Sequence, residues 1–121
     1  MRKSFRVKKE TEFQKVFETH DSVANRQFVV YSLDKPEQIH FRVGISVGKK
    51  IGNAVHRNWV KRRIRQAVFE LKDQIRQDVD FIIIARPTTD MMSMKDIKTS
   101  LIHVLKLARL IKSDDDSEDQ E

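Results

Sequence analysis

The run Phe81-Ile82-Ile83-Ile84-Ala85 is apolar at every position. A strand open to water on one face alternates apolar and polar residues, so an unbroken run reads as a strand covered on both faces. The other segments offer one apolar face each. Glu10 to Thr19 reads as a short helix, with Phe13, Val16 and Phe17 at i, i+3, i+4 spacing. His20 to Arg26 is a polar link, and Gln27 to Leu33 is β-branched and aromatic, as a strand should be. Asp34, Lys35 and Pro36 mark a turn. Phe41 to Val47 alternates, with Phe41, Val43, Ile45 and Val47 set against Arg42, Gly44 and Ser46. The first set is expected to face a core and the second an open surface. The short connection suggests an antiparallel hairpin between these two strands, with another short strand conceivable in that region.

After a turn over Gly48 to Gly52, Asn53 is placed to cap a long helix running to about Ile75. Val60, Ile64, Ala67, Val68, Leu71 and Ile75 recur along it at helical spacing. Ser93, with Asp96 three residues on, resembles a capping box for a last helix bearing Ile97, Leu101, Val104, Leu105, Ala108 and Ile111. The order is α-β-β-(β)-α-β-α, an α+β chain. Its 121 residues suffice for one core and not for two.

Charge narrows the function. No acidic residue lies between Glu37 and Glu70, a stretch that holds eight cations, seven of them between Lys49 and Arg65. At about 100° per residue, Asn58, Lys61, Arg62 and Arg65 cluster away from the apolar stripe of the long helix. A solvated helix face normally carries acids at i±4, and here none occurs before Glu70. No Asp or Glu is near enough to neutralise these cations internally, so the patch should attract a polyanion. Arg suits phosphate oxygens, and Asn58 adds an amide that can reach a base edge, ribose or phosphate. A membrane-surface helix would need its apolar face free, yet the core claims that face. The formal charge of +6 understates the basic character. Residues 1–112 hold 24 cations against 12 carboxylates, and Ser113 to Glu121 holds six carboxylates and no cation. We therefore divide the chain into a basic domain over residues 1–112 and an acidic tail over 113–121. The tail is expected to be disordered for want of apolar groups.

Other classes find little support. The chain has no cysteine, no apolar stretch near the roughly 20 residues of a bilayer span, and no apolar core in MRKSFRVKKE. A soluble cytoplasmic protein is expected, with no membrane partner. The four histidines are scattered without metal-ligand spacing, Ser46 has no evident base, and no Gly-rich phosphate loop occurs. No catalytic residue and no metal site are assigned to the protein, and no cofactor. Phe13, Phe17 and Tyr31 could stack unpaired bases beside the basic surface. On spacing alone, two Phe at i, i+4 are more simply core residues. His56 is a partner of RNA or a polar residue at a helix start.

The segments SVANRQFVVY, FRVGISVGKKIGNAVHRNWVKRRIRQ and FIIIAR make a more specific match. They resemble the protein subunit of bacterial ribonuclease P, whose signature is similar to GxSVxKKxGNAVxRNxxKRxxR. Gly44, Ser46, Val47, Lys49, Lys50, Gly52, Asn53, Ala54, Val55, Arg57, Asn58, Lys61, Arg62 and Arg65 carry it here. The resemblance covers about Phe5 to Lys112. It implies an α/β sandwich with a left-handed βαβ crossover, an exception to the usual hand. It implies a ribonucleoprotein that removes the 5′ leader from precursor tRNA, in which the RNA subunit holds the catalytic Mg2+ ions and the protein assists. By that resemblance Lys49, Lys50, Asn53, Arg57, Asn58, Lys61, Arg62 and Arg65 would contact the catalytic RNA. Phe13, Phe17, Val29, Tyr31, Arg42 and Ser46 would line or adjoin a cleft for the single-stranded leader. The implied partners are ribonuclease P RNA and precursor tRNA. Gly48 departs from the pattern, sitting where a small polar residue is common, and His56 and Trp59 fall on variable positions. Trp59 either stacks on RNA or caps the core edge. A structural RNA-binding protein of the translation apparatus on a similar fold would explain the charge equally well, but not the whole signature.

Overall fold

The computed structural model describes residues 3–113, so the acidic tail beyond Ser113 lies outside the described residues. The elements are α1 (Glu10–Glu18), β1 (Ser22–Ala24), β2 (Phe28–Asp34), β3 (Arg42–Val47), α2 (Ala54–Leu71), β4 (Val79–Ala85) and α3 (Met94–Leu107). They form one mixed sheet in the order β1-β2-β4-β3. β4 runs antiparallel to β2 and parallel to β3, and α2 makes the crossover between the two parallel strands.

This order corrects two expectations. β2 and β3 do not form a hairpin, because β4 is inserted between them. The reason is the apolar run itself. The central position gives β4 a hydrogen-bonded neighbour on each edge and a covered face on each side, so all its residues but Ile84 are buried. The extra strand is β1, which precedes β2 and pairs with it in the segment read as a polar link. Three residues are too few for alternation to register as a strand signal.

Side-chain parity divides the sheet into two faces. Phe28, Val30, Val43, Val47, Val79, Phe81, Ile83 and Ala85 join Val60, Ile64, Val68, Ile97, Leu101 and Leu105 in the main core beneath α2 and α3. The opposite face carries α1, with Val16 and Ile82 fully buried. The surface expected to be open on the Gly44 side is therefore roofed in part. Gly44 is buried, and a Cβ built on it would stand 2.6 Å from the Phe13 ring.

The helix ends also differ from the periodic pattern. α2 stops at Leu71 and a single 3-10 turn, Lys72–Gln74, leads to Ile75. α3 is closed by Arg109 at φ 61, with Arg109 N–H donating to Lys106 O (3.0 Å) and Leu110 N–H to Leu105 O (2.9 Å). These are the two hydrogen bonds of a Schellman cap. The chain reverses there, and Ile111 pairs with Ile75 in an antiparallel bridge. Both isoleucines are core residues, as their spacing suggested, but neither is helical.

An ion network fastens α1 to the sheet. Asp80, 1% exposed on β4, accepts from Arg42 Nε (3.0 Å) and Nη2 (2.6 Å). Arg42 Nη1 reaches Glu12 of α1 at 2.6 Å. The other Glu12 oxygen accepts the Lys9 backbone N–H at 3.1 Å, capping the first turn of α1. Arg42 is thus neutralised from across the fold, contrary to the expectation that no acid stood near it. Its partners in α1 and along the sheet are 30 and 38 residues away in sequence. The Lys9 amide and then Arg42 hold the Glu12 carboxyl down at about 2, against an ordinary 4.5. A carboxyl depressed in the folded state stabilises fully above its unfolded value and ceases to as pH falls through the folded one. Glu12→Gln is therefore expected to be less stable than the parent at pH 7, with the gap closing between about pH 4.5 and 2. Urea midpoints across that range read this directly, and a constant gap would contradict it.

Candidate nucleic-acid interface

Three ranks of side chains cross the α1 face of the sheet, set by strand register. Leu33, Asp80 and Arg42 form the first, Tyr31, Ile82 and Gly44 the second, and Val29, Ile84 and Ser46 the third. The ion network closes the first rank under Glu12. α1 covers the second, with Phe13 on Gly44 and Phe17 edge-on to Tyr31 (ring centroids 4.9 Å apart, 84° between planes). Val29, Ile84 and Ser46 in the third rank are only half-buried, as are Phe13, Phe17 and Tyr31. The result is a shallow trough, apolar along its floor, with aromatic rings along the α1 side. Five of the six residues assigned to a cleft from sequence lie along it. Arg42 shares the face and gives three N–H donors to Asp80 and Glu12, which clamps the closed end. Ile84 completes the floor. Only its interior place in an all-apolar run hid it, because such a run does not say which face each residue takes.

The cationic surface begins at the turn before α2. Lys49 and Lys50 are exposed there, and Gly52 takes φ 152. A side chain at Gly52 would be strained in that conformation and would meet His56. Asn53 caps α2 by accepting the His56 backbone N–H at 3.1 Å. The His56 ring Nδ1 lies 2.9 Å from Asp90, which ties the first turn of α2 to the loop before α3. The His56 ring is thus engaged at the helix start, and Asp90, 34 residues on, was invisible as its partner. Asn58 and Arg62 are exposed on α2, and Arg57, Lys61 and Arg65 are half-buried. Among the described residues no carboxylate pairs with Lys49, Lys50, Arg57, Lys61, Arg62 or Arg65. The Nε of Arg57 is buried without a hydrogen-bond partner. Burial, and then the charge of Arg6, lower the pKa of Arg65. Trp59 packs on the core edge and carries the Arg63 guanidinium over its ring at 3.4 Å.

An apolar trough therefore lies on one face of the sheet, and a helix bearing uncompensated cations packs on the other. The sequence profile of the family described as Ribonuclease P matches residues 1–109. The chain belongs to this ribonuclease P protein family. The "Ribonuclease P protein component" of Levilactobacillus brevis is 74% identical over 114 residues, 94% of this chain and 97% of that one. That of Limosilactobacillus reuteri is 66% identical over 119 residues, 98% of this chain and all of that one. Among solved structures, the Staphylococcus aureus RNase P protein superposes with a TM-score of 0.83 at 47% identity, covering 91% of this chain and 100% of that one. The Thermotoga maritima RNase P protein gives 0.77 at 26% identity, covering 84% and 96%. Membership places the chain as the protein component of the endoribonuclease that matures tRNA 5′ ends. No helix among the described residues is long and apolar enough to cross a membrane.

The close seat of Phe13 on Gly44 sets the height of the α1 roof. Gly44→Val is expected to displace the ring and α1 and to destabilise by about 1–3 kcal/mol, as overpacking does. Urea unfolding measures the loss. A variant as stable as the parent would mean that Phe13 swings away freely.

Proposed function

We propose that the cationic turn and helix grip ribonuclease P RNA while the trough holds the single-stranded 5′ leader of precursor tRNA. The observation that carries this reading is the trough's third rank, apolar and half-open beside Phe17 and Tyr31, together with α2 cations that no carboxylate compensates. Unpaired bases stack on such rings for about 1–3 kcal/mol each. The guanidinium forks of Arg57, Arg62 and Arg65 suit phosphate oxygens. The protein contributes binding and charge compensation in this reading, and the RNA subunit with its Mg2+ ions contributes the chemistry. Mature tRNA lacks the leader, so contacts in the trough favour substrate over product. The setting is the cytoplasm.

The test is reconstitution of the full chain with a bacterial ribonuclease P RNA at low magnesium, following 5′ cleavage of precursor tRNA. Cleavage that requires both components supports the proposal. No gain from folded protein sinks it, and co-purification with ribosomal RNA in place of one discrete RNA would favour the translation-apparatus reading.

Two substitution sets separate the surfaces. Tyr31→Ala and Phe17→Ala are expected to weaken holoenzyme affinity for leader-bearing tRNA by about 1–3 kcal/mol and to leave mature tRNA affinity unchanged. Equal losses for both would contradict the trough assignment. Arg57→Ala is expected to weaken RNA binding and to reduce the slope of log K against log salt by about 0.7–0.9. A slope identical to the parent's would remove Arg57 from the interface.

A further inference from the structure

The link between β1 and β2, Asn25 to Gln27, packs against α3 at the sheet edge away from β3. Between the link and α3 is an open groove of about 490 Å³. Its α3 wall is a polar stripe of Asp96, Thr99, Ser100 and His103, spaced i, i+3, i+4, i+7 on one side of the helix. Spacing alone reads such a stripe as a solvated face. Asn25 organises it further. Its Oδ1 accepts the backbone N–H groups of Gln27 (3.1 Å) and Phe28 (2.8 Å), which fixes the orientation of the amide. Asn25 Nδ2 must then donate, and it reaches Ser100 O (2.9 Å), Ser100 Oγ (3.0 Å) and His103 Nδ1 (3.3 Å). Nδ1 is therefore an acceptor, and the neutral His103 ring carries its proton on Nε2. Ser100 Oγ accepts from Asn25, so its own proton goes to Gln27 Oε1 (2.8 Å). Among the described residues, no hydrogen bond or ion pair uses Gln27 Nε2, His103 Nε2–H or the Asp96 carboxylate. In order along α3, the groove thus offers an acceptor pair at Asp96, amide donors held beside Ser100, and a ring donor at His103. The stripe from Asp96 to His103 is about 10 Å long at the rise of a helix.

We propose that this groove binds a guanine base. Around its edge guanine presents the N2–H and N1–H donors, then the O6 acceptor, then the N7 acceptor. The two orders match. The Asp96 carboxylate accepts from N1–H and N2–H, Gln27 Nε2 donates to O6, and His103 Nε2–H donates to N7. Met92, half-buried at the same groove, supplies a polarisable apolar contact for the ring. The volume admits a base with its ribose. Charge argues against phosphate as the recognised group, because no Lys or Arg lines the groove and Asp96 repels an anion. Adenine fits poorly, because its N1 lone pair would face the carboxylate. The groove is separate from the trough and from the α2 cations, so this inference does not rest on the RNA contacts proposed above. Guanine arrives either as a free nucleotide or as an unpaired residue of an RNA strand.

The experiment follows the full chain by NMR while GMP is added, with AMP as a ligand of equal charge. GMP is expected to give saturable shifts at the Gln27 side-chain amide, the Ser100 backbone and the His103 ring, and AMP to bind at least about tenfold more weakly. Asp96→Asn should abolish that preference, since an amide no longer offers two acceptor oxygens to N1–H and N2–H. Asp73→Asn, on the turn after α2, should keep it. Equal affinities for GMP and AMP, or shifts confined to the α2 cations, overturn the site. So does an undiminished preference in folded Asp96→Asn. Should that variant not fold, the parent's discrimination between the two nucleotides still decides. With the site upheld, displacement of GMP by a uridine oligonucleotide carrying one guanosine assigns the base to an RNA strand. GMP that this oligonucleotide does not displace assigns it to a free nucleotide. Reconstituted cleavage enters neither readout, so the two proposals fail separately.

Discussion

Everything in this molecule is arranged around the burial of β4 on both faces. A strand without a polar side cannot sit at an edge or carry an open face, so it parts β2 from β3 and requires a layer above and below. α2 and α3 supply the larger layer, and their apolar stripes interlock with Phe81, Ile83 and the inward residues of β2 and β3. Nine-residue α1 supplies the smaller one. It is too short to cover the whole face, and the uncovered rank beside it is the trough. The candidate site is thus what remains when a short helix roofs a longer sheet.

The roof needs fixing because its buried area is small. Val16 and Ile82 give it an apolar anchor, and the network of Glu12, Arg42 and Asp80 gives it a polar one. A carboxylate as buried as Asp80 would be costly alone, and Arg42 offsets that cost with two hydrogen bonds. The same arginine, on the same face as Ser46 and Gly44, therefore serves the architecture. Its distance from the cations of α2 in role is larger than its distance in sequence.

Much of the fold was legible because periodicity and caps are local. The Asn53 and Ser93 caps, the stripe from Val60 to Leu71 and the alternation through Val43 and Val47 all follow from neighbours within a few residues. The basic face of α2 was legible for the same reason, since Asn58, Lys61, Arg62 and Arg65 share one side of one helix. The trough residues Phe17, Tyr31, Val29 and Ser46 came through family resemblance, and spacing alone had left Phe13 and Phe17 as core residues. What stayed hidden involves partners far apart in the chain, such as Asp90 on His56, Asp80 on Arg42, and Ser100 and His103 beside Asn25.

By itself the sequence determined the kinds of element, their capping, the position of the main core and the sign and place of the charge. Those properties depend on dihedral preference, hydrophobic period and composition, which act over a few residues. Only the tertiary structure decided that β4 lies between β2 and β3, that Arg42 is clamped while its neighbours on α2 are not, and that the N-terminal arm closes the β3 edge through Val7 and Val43. Strand order and ion pairing are settled by which surfaces can be buried together, and burial is a property of the assembled chain.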